Sequence, residues 1–348
     1  MNFRPIALLI LLSFTLLAQR RIGQSNIAVR VPPDPHELVT GQVAIPSAGE
    51  RGADMELLQR ALQNRRLMNA SLGPSRIDVA FTASGAAGGQ GQFSQTWLSP
   101  RAWRWTATLG ASTVVRGTTS QGAYADNASS VPMPIHMLRN AIFSSMYDIA
   151  IGTQLRATAV TWNGKPGICL LTSGVVGAPN YQGRLWEELE YCFDSGSGLL
   201  VSSSFAPGVF TVYSYTKGLN LRGHTLPDHL TMYEGGNELL DATLQLSDAT
   251  GTDPGTLAPG PGMVARASVL TSPSRQPFSL LAPAGVTKIS PVMVHANVVD
   301  GRVIDAQVCA AADPTLASTA LDRVKAMPIA VGGQQQVYLT IKFVPAQN

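Results

Sequence analysis

Residues 184–246 read RLWEELEYCFDSGSGLLVSSSFAPGVFTVYSYTKGLNLRGHTLPDHLTMYEGGNELLDATLQL, and this stretch gives the clearest indication of the architecture. It consists of extended runs separated by turns: a run that ends at Phe193, then LLVSSSF, FTVYSYT, and two more runs on either side of Gly235-Gly236. Short extended runs bounded by Gly, Pro and Ser are typical of an antiparallel meander. The stretch contains no catalytic signature, so it predicts an architecture and not a reaction.

The composition of the whole chain agrees with a sheet-rich protein. The 348 residues include 33 Gly and 23 Pro, and only 14% are charged. Many turn formers and few charges favour a β-rich protein over a helical bundle, and the length allows two domains. The net charge of +3 comes from dispersed Lys and Arg, which excludes a nucleic-acid-binding surface.

An apolar run near the N-terminus predicts export. Residues 6–18 read IALLILLSFTLLA and follow Arg4. The run is shorter than the roughly 20 residues that cross a bilayer and is typical of a secretory signal. We therefore predict a signal peptide over residues 1–25 and a location in the periplasm or cell envelope. An uncleaved signal would be an inner-membrane anchor, although Arg20 and Arg21 disfavour an anchor with its N-terminus inside.

The chain has three cysteines, Cys169, Cys192 and Cys309. Cys169 and Cys192 fall in predicted strands of one sheet, so in an oxidising compartment they form either a disulfide or two buried thiols. The sequence leaves both open. Cys309 has no Cys or His neighbour at the spacing of metal ligands. We predict no metal and no cofactor.

The first half of the chain predicts a sheet with one apolar face. Residues 26–53 are aperiodic and contain prolines, which indicates a flexible lead-in. A helix capped by Asp54 follows, then extended runs such as RAWRWTATL at 101–109, in which apolar residues alternate. A second amphipathic helix is predicted over residues 134–147.

Two helices cannot cover a sheet of this width, which tends to curl. The uncovered apolar face would form a groove for a hydrophobic ligand. We predict that this cavity is lined by large side chains of the strands and of the second helix. Core packing is the alternative role for each of them. The candidates are Phe81, Phe93, Trp97, Trp103, Trp105, Met137, Phe143 and Trp162.

The C-terminal part reads as a separate domain. Residues 247–290 are rich in Gly, Pro and Thr and predict a linker, whose later part could form a strand. Over residues 291–348, Asp300-Gly301 is a type I′ hairpin signal between two strands. Asp313 and Pro314 then begin a helix, and QQVYLTIKFV is a last strand. This order predicts a small β-β-α-β domain.

Short motifs in residues 54–246 resemble the LolA/LolB type of lipoprotein carrier. They are a Gly-x-Phe strand, a Ser-Pro-Arg turn into a Trp strand (WLSPRAWRW), and an Asp before a Gly-rich turn (CFDSGSGLL). The resemblance implies a half-open antiparallel barrel whose helices cover a hydrophobic cavity for acyl chains. The family has a functional arginine directly ahead of the proline, whereas Ser99 stands there in this chain.

The tail over residues 291–344 resembles the TonB C-terminal domain in its strand, DG hairpin, strand, capped helix and strand. The chain lacks the Tyr-Pro segment usual ahead of the first strand and a long Pro-rich spacer. The resemblance implies a protein-interaction module. We predict that a partner adds a strand along the last strand, with Tyr338, Thr340 and Lys342 as the partner-binding residues.

Catalytic and metal-binding signatures such as H-E-x-x-H, C-x-x-C, G-x-S-x-G and the Walker motif are absent from the sequence. Glu187, Glu188 and Glu190 predict a solvated strand edge. The predicted fold is α+β: a curled antiparallel sheet, or half-open barrel, with two covering helices, plus the small domain. The predicted function is non-enzymatic binding of a lipid or other hydrophobic ligand, together with an envelope protein partner. The alternative is a membrane-anchored TonB-type component of envelope transport.

Overall fold

The computed structural model describes residues 29–68, 72–85, 88–126, 130–146, 153–174, 181–265 and 273–346. The predicted signal peptide, residues 1–25, lies outside the described residues. Within the described ranges, no helix is both long enough and apolar enough to span a membrane.

The described residues form strands and helices in the following chain order. The strands of the first part are β1 (Gln42–Val43), β2 (Ser75–Ala83), β3 (Gly89–Ser99), β4 (Ala102–Leu109), β5 (Ser112–Thr119), β6 (Gly122–Ala125), β7 (Gln154–Trp162), β8 (Lys165–Ser173) and β9 (Tyr181–Gln182). The strands that follow are β10 (Leu189–Asp194), β11 (Leu200–Ala206), β12 (Val209–Ser214), β13 (Leu219–Leu221), β14 (His224–Leu226), β15 (His229–Glu234), β16 (Asn237–Asp248), β17 (Val264–Ala265), β18 (Ser274–Leu281), β19 (Ser290–Val299), β20 (Arg302–Ala311) and β21 (Gln334–Val344). The helices are α1 (Ala48–Arg65), α2 (Met133–Phe143) and α3 (Ala317–Ala326), with 3-10 turns at Pro254–Leu257 and Pro314–Leu316.

A 13-stranded antiparallel sheet dominates the molecule. Its strand order is β17-β6-β5-β4-β3-β2-β16-β15-β12-β11-β10-β8-β7, with β17 and β7 at the two edges, so the sheet is open. The predicted meander is confirmed, because β10, β11, β12, β15 and β16 are successive antiparallel neighbours. A short hairpin of β13 and β14, which we did not predict, is inserted between β12 and β15.

One face of this sheet, the inner face, packs against α1 and α2 and holds the main apolar core. The alternation predicted for RAWRWTATL is confirmed: Trp105 and Ala107 are buried, whereas Arg104 and Thr106 are partly exposed. Strand geometry causes this, because successive side chains point to opposite faces. Burial of a side chain such as Phe93 stabilises the fold by about 1.5–3 kcal/mol.

The first helix begins earlier than predicted. Ser47, not Asp54, is its N-cap: the Ser47 hydroxyl accepts a hydrogen bond from the Glu50 amide, and the Glu50 carboxylate accepts one from the Ser47 amide at 2.8 Å. This reciprocal capping box satisfies two N–H groups of the first turn, which Asp54 cannot do. The second helix ends at Phe143, and the end predicted for it at residue 147 lies outside the described residues.

Residues 29–47 cover the opposite, outer face of β7, β8, β10 and β11, so the prediction of a flexible lead-in is wrong for them. β1 pairs with β9, and Ala44 forms a bridge with Ala157. Val39 and Val43 are buried in a second apolar cluster on this face. The segment is ordered because these few apolar residues pack against an apolar surface of the sheet. They show no periodicity of their own.

The C-terminal module, residues 274–344, is a sheet of order β18-β21-β19-β20 with α3 packed on one face. The predicted hairpin is confirmed, since Asp300 and Gly301 both have positive φ, 46° and 82°, as a type I′ turn requires. β18 pairs in parallel with β21, so the last part of the predicted linker belongs to this sheet. Earlier in that linker, Leu257 is buried and its carbonyl accepts a hydrogen bond from Tyr124.

The position of β21 overturns the predicted partner-binding strand. β21 is hydrogen-bonded to β18 on one side and to β19 on the other, so it has no free edge for strand addition. Tyr338 and Thr340 are buried, and Lys342 forms an ion pair with Glu187 at 2.9 Å. The prediction failed because β18, which occupies the expected edge, comes from the segment interpreted as a linker.

Candidate functional site

Most of the predicted cavity residues do lie together, in the apolar core of the inner face. Phe143 is partly buried against this core, with its ring centre 6.2 Å from that of Phe93. Trp162 is not part of the group, because β7 directs Leu155 inward and Trp162 outward to the cluster around Val39. The residues that share the core are Phe81, Phe93, Trp97, Trp103, Trp105 and Met137.

A cavity of about 50 Å³ lies where α2, the inner face and the C-terminal module meet. This volume accommodates a few water molecules. Apolar and aromatic side chains of all three parts line it, with hydroxyl and amide groups at its border. Met137 is the predicted cavity residue found there. The lining includes Met137, Ala141, Val209, Tyr213, Met232 and Tyr338.

Buried Glu234, at the end of β15, joins the C-terminal module to the inner face. His295 Nδ1 of β19 lies 3.0 Å from the Glu234 carboxylate, and the Cys309 thiol of β20 donates to it at 2.7 Å. Gln307 Nε2 donates to the same carboxylate. Burial, and then the charge of Glu234, raise the pKa of Cys309, which keeps the thiol protonated as a donor.

A row of amide side chains closes the border between α2 and the module. Asn140 Nδ2 donates to Gln336 Oε1 at 2.8 Å, and Gln334 Nε2 donates to the Val131 carbonyl at 2.7 Å and to Asn297 Oδ1 at 2.9 Å. These contacts form a polar border beside the apolar cluster in which Val209 of the large sheet packs with Met293 and Tyr338 of the module.

Two buried basic residues, His136 and Arg139, belong to α2. Burial, followed by the charge of Arg139, lowers the pKa of His136 to about 4, so this imidazole is neutral at physiological pH. Burial lowers the pKa of Arg139 to about 10, and the guanidinium remains charged. The sequence signal for them was weak, because both stand among apolar residues in MPIHMLRNAIF.

The predicted solvated acidic edge is wrong for Glu188 and Glu190, which are both buried. Glu188 forms a bidentate ion pair with Arg156, at 2.7 Å for each of its two oxygens. Arg184, also buried, donates to the Glu188 carbonyl and to Ser204. Arg156, 32 positions away in the sequence, therefore compensates the charge of the Glu188 carboxylate.

Glu190 instead faces another acid, Glu37 of the covering segment. Burial raises the pKa of Glu190 well above its usual range, and the charge of Glu37 and a hydrogen bond with Glu37 add to the effect. The protonated form of Glu190 is therefore favoured in the folded protein. No local pattern indicated this contact, because Glu37 lies 153 positions away from Glu190.

Cys169 and Cys192 are joined by a disulfide. The two residues are directly opposite each other on β8 and β10 and lie on the outer face, where both are fully buried. Of the two alternatives that the sequence left open, the structure shows the bonded one. Cys309 is a buried thiol.

Three of the buried acids in the part of the chain that the structure describes are held by structural partners: Glu188 by Arg156, Glu190 by Glu37 and Glu234 by His295. The cavity instead offers methyl, thioether and ring surfaces. Sequence alternation in PDHLTMYE could have placed Met232 and Glu234 on the inner face, whereas the docking of Tyr338 had no local signal.

Neither a protein-family model nor a curated protein shows a significant match to the chain. Solved structures with similarity to it include a domain from Vibrio parahaemolyticus described as an outer membrane lipoprotein-sorting protein, with 9% identity and a TM-score of 0.35, covering 57% of this chain and 97% of that one. A LolA superfamily protein from Nitrosomonas europaea has 9% identity and a TM-score of 0.38, covering 58% of this chain and 97% of that one. At these scores the similarity assigns the chain to no family.

Proposed function

We propose that the protein binds a hydrophobic ligand, such as a lipid acyl chain, against the inner face of its large sheet and performs no chemistry on it. The observation that supports this is the cavity between α2, the inner face and the C-terminal module, lined by Met137, Met232 and Tyr338. Methionine and aromatic side chains adapt to apolar ligands of varied shape. At about 50 Å³ the cavity is too small for an acyl chain, so binding requires α2 or the module to move.

Filling the cavity tests this function. Purified protein is stripped of bound lipid and titrated with 11-(dansylamino)undecanoic acid, whose fluorescence reports an apolar environment. The variant Ala141→Leu places a larger side chain in the cavity wall and is expected to weaken binding about tenfold or more. Ala48→Leu, on the exposed first turn of α1, is the control and should leave binding unchanged. An unaltered affinity in Ala141→Leu would refute the proposed site.

The proposed location is the periplasm or cell envelope, after removal of residues 1–25. The supporting observations are the apolar leader in the sequence and the buried disulfide, which forms in oxidising compartments. The mass of the mature N-terminus separates this from the membrane-anchored, TonB-type alternative. A mature chain that retains residues 1–18 would favour the anchored protein.

For a protein partner we propose β20 in place of β21. β20 is an edge strand of the C-terminal module and pairs only with β19 in the described sheet. Its side chain Ile304 is 50% exposed, which is unusual for a large aliphatic residue and offers an apolar contact to an added strand. Ile304→Lys should reduce partner capture in a pull-down, whereas Lys342→Ala, on the central strand, should not.

A further inference from the structure

Arg139 is a buried arginine, 7% exposed, with no carboxylate partner among the residues that the structure describes. Its Nη2 lies 3.6 Å from Met68 Sδ, and its guanidinium lies 5.3 Å from the centre of the Phe143 ring. Its Nε has no hydrogen-bond partner. Neither a thioether nor a ring neutralises a full charge, and burial does not lower the pKa far enough to discharge it.

The other buried arginines show how this chain usually compensates such a charge. Arg116 pairs with Asp126, and Arg156 pairs with Glu188. Arg184 donates to a main-chain carbonyl and to a serine. An isolated buried charge is costly, so natural proteins rarely keep one without a counter-ion. Arg65, which is also buried, donates to the Ala141 carbonyl and the Ser145 hydroxyl, so Arg65 and Arg184 have oxygen acceptors although no anion. Arg139 differs from the other four because, within the described part of the chain, its hydrogen-bond acceptor is the Met68 sulfur.

The neighbours of Arg139 on α2 indicate its surroundings. His136 lies one turn earlier, close to Arg116 on β5 and to the C-terminal module. Phe143 lies one turn later, and its ring packs near Phe93 on β3. Residues at this spacing share one face of a helix. Arg139 is therefore on the same side of α2 as these two residues.

The strand row at this place carries polar groups that are also unsatisfied. Gln95, Trp105 and Arg116 are directly opposed residues of β3, β4 and β5, so their side chains share the inner face. Gln95 Nε2 and Oε1 and Trp105 Nε1 are buried without hydrogen-bond partners among the described residues. Buried polar groups almost always have partners, and a cluster of exceptions around one cation calls for an explanation.

We propose that Arg139, with Trp105 Nε1 and Gln95 Nε2, binds the acidic headgroup of an amphiphilic ligand, a carboxylate or a phosphate. This inference rests on the proposed function and specifies its ligand class. The guanidinium binds two oxygens of the anion at once, and the indole and amide N–H groups donate to the oxygens that remain. The apolar chain then extends along α2 toward the cavity lined by Met137 and Met232, where the proposed function places it.

The test compares ligands that share a chain and differ in the headgroup. Delipidated full-length protein is titrated by calorimetry with dodecanoate, dodecyl phosphate and dodecanol at one fixed salt concentration. The wild type should bind at least one of the two acids roughly 10- to 100-fold more tightly than the alcohol, as expected for charge-assisted hydrogen bonds. Arg139→Met should reduce the affinity for the acids to that for dodecanol and leave dodecanol binding unchanged.

Two further variants sharpen the assignment. Trp105→Phe removes the indole N–H together with part of the ring, and should weaken acid binding severalfold more than it weakens alcohol binding. Arg104→Met, on the partly exposed face of the same strand, is the matched control and should retain the full preference for acids. The ratio between the two acids then distinguishes a carboxylate headgroup from a phosphate.

The stability of the ligand-free protein gives a second readout. Replacing an unpaired buried charge with an apolar side chain of similar length is expected to raise the Tm of Arg139→Met. A lower Tm would indicate a structural role for Arg139 and would overturn the inference. Equal affinity for all three ligands, or an acid preference that survives Arg139→Met, would also overturn it. Failure of all three ligands to bind would instead refute the proposed function itself.

Discussion

At the scale of single residues, the strongest local interaction is the buried ion pair between Arg156 and Glu188, whose side chains are 3% and 4% exposed. Arg156→Ala leaves the Glu188 carboxylate buried without its cation and is expected to destabilise the protein by about 3–5 kcal/mol. Arg76 and Asp78 form a pair with the same bidentate geometry on the surface. Arg76→Ala should therefore cost less than about 1 kcal/mol. Urea unfolding of both variants measures the difference, and equal losses would contradict the assignment.

The buried acid Glu190 makes stability depend on pH. Its pKa is raised in the folded protein above the ordinary value of 4.5, so the folded state binds more protons than the unfolded state at pH values between the two. Stability is therefore fully present below about 4.5 and falls as the pH rises toward the folded pKa. Glu190→Gln mimics the protonated acid and should flatten this decline and increase stability at neutral pH.

Unfolding free energies of wild type and Glu190→Gln, measured at intervals from pH 4.5 to 8, check this prediction. Glu238→Gln, on the exposed part of β16, serves as the control and should follow the wild-type curve. If the free energies of unfolding of wild type and Glu190→Gln differed by the same amount from pH 4.5 to 8, Glu190 would not titrate as described.

The sequence predicted the burial of a side chain correctly where that burial depended on a single strand. Alternation correctly placed Trp103 and Trp105 on the buried face. It failed for Glu188 and Glu190, because their burial depends on Arg156, on Arg184 and on the covering segment. Residues of one face can be identified from a strand alone, but the partners that make a buried charge tolerable come from elsewhere in the chain.

At the scale of elements, the chain carries two glycines inside α1 that the helix does not need. A Cβ at Gly52 would meet no atom within 4 Å. Gly52→Ala is therefore expected to stabilise the protein by about 0.5–1 kcal/mol, because alanine has less conformational freedom to lose on folding. Thermal unfolding measures the gain.

Gly91 on β3 is the opposite case and provides the comparison. A Cβ there would lie 2.3 Å from the Phe81 ring and 2.6 Å from the Thr108 carbonyl. Gly91→Ala should therefore destabilise the protein by about 1–3 kcal/mol through overpacking. Opposite changes in stability from these two Gly→Ala substitutions would confirm the packing of both elements. A loss of stability in Gly52→Ala would argue against the assigned helix.

The limits of sequence-based prediction differ between kinds of element. The Asp300-Gly301 hairpin was predictable because two residues with positive φ specify its turn. The strand β1 was missed, and β18 was predicted only as a possible strand within a linker, since both lie in Pro-containing segments that look like linkers. Pro277 fits an edge strand such as β18, but that fit becomes visible only when its neighbour β21 is known.

At the scale of the whole molecule, the contact between the C-terminal module and the large sheet depends on buried Glu234. Glu234→Ala deprives His295, Gln307 and the Cys309 thiol of their shared acceptor and is expected to weaken the contact by about 2–5 kcal/mol. Amide hydrogen exchange should accelerate in β19 and β20 but remain slow in β2 to β4. Loss of protection throughout would indicate global unfolding instead.

The surface ion pair at the border of this interface gives a matched control. Lys342 and Glu187 lie 2.9 Å apart, with side chains 26% and 39% exposed. Lys342→Ala should change the exchange of β19 little, because exposed ion pairs contribute less than about 1 kcal/mol. The overall arrangement of the two parts was beyond sequence reasoning, since the residues that join them are separated by as many as 203 positions.

The docked position of the C-terminal module also links the two binding activities proposed for this protein. The side chain of Tyr338 on β21 is part of the cavity wall. A partner that moves the module away from the sheet would therefore open the ligand site. A ligand that displaces the module from the sheet would in turn favour the conformation that the partner binds. Thermodynamic reciprocity requires that each event change the affinity of the other by the same factor. Binding of the hydrophobic ligand and binding of the partner would therefore strengthen each other through the contact between the module and the sheet. The ligand-bound protein would have the higher affinity for the partner.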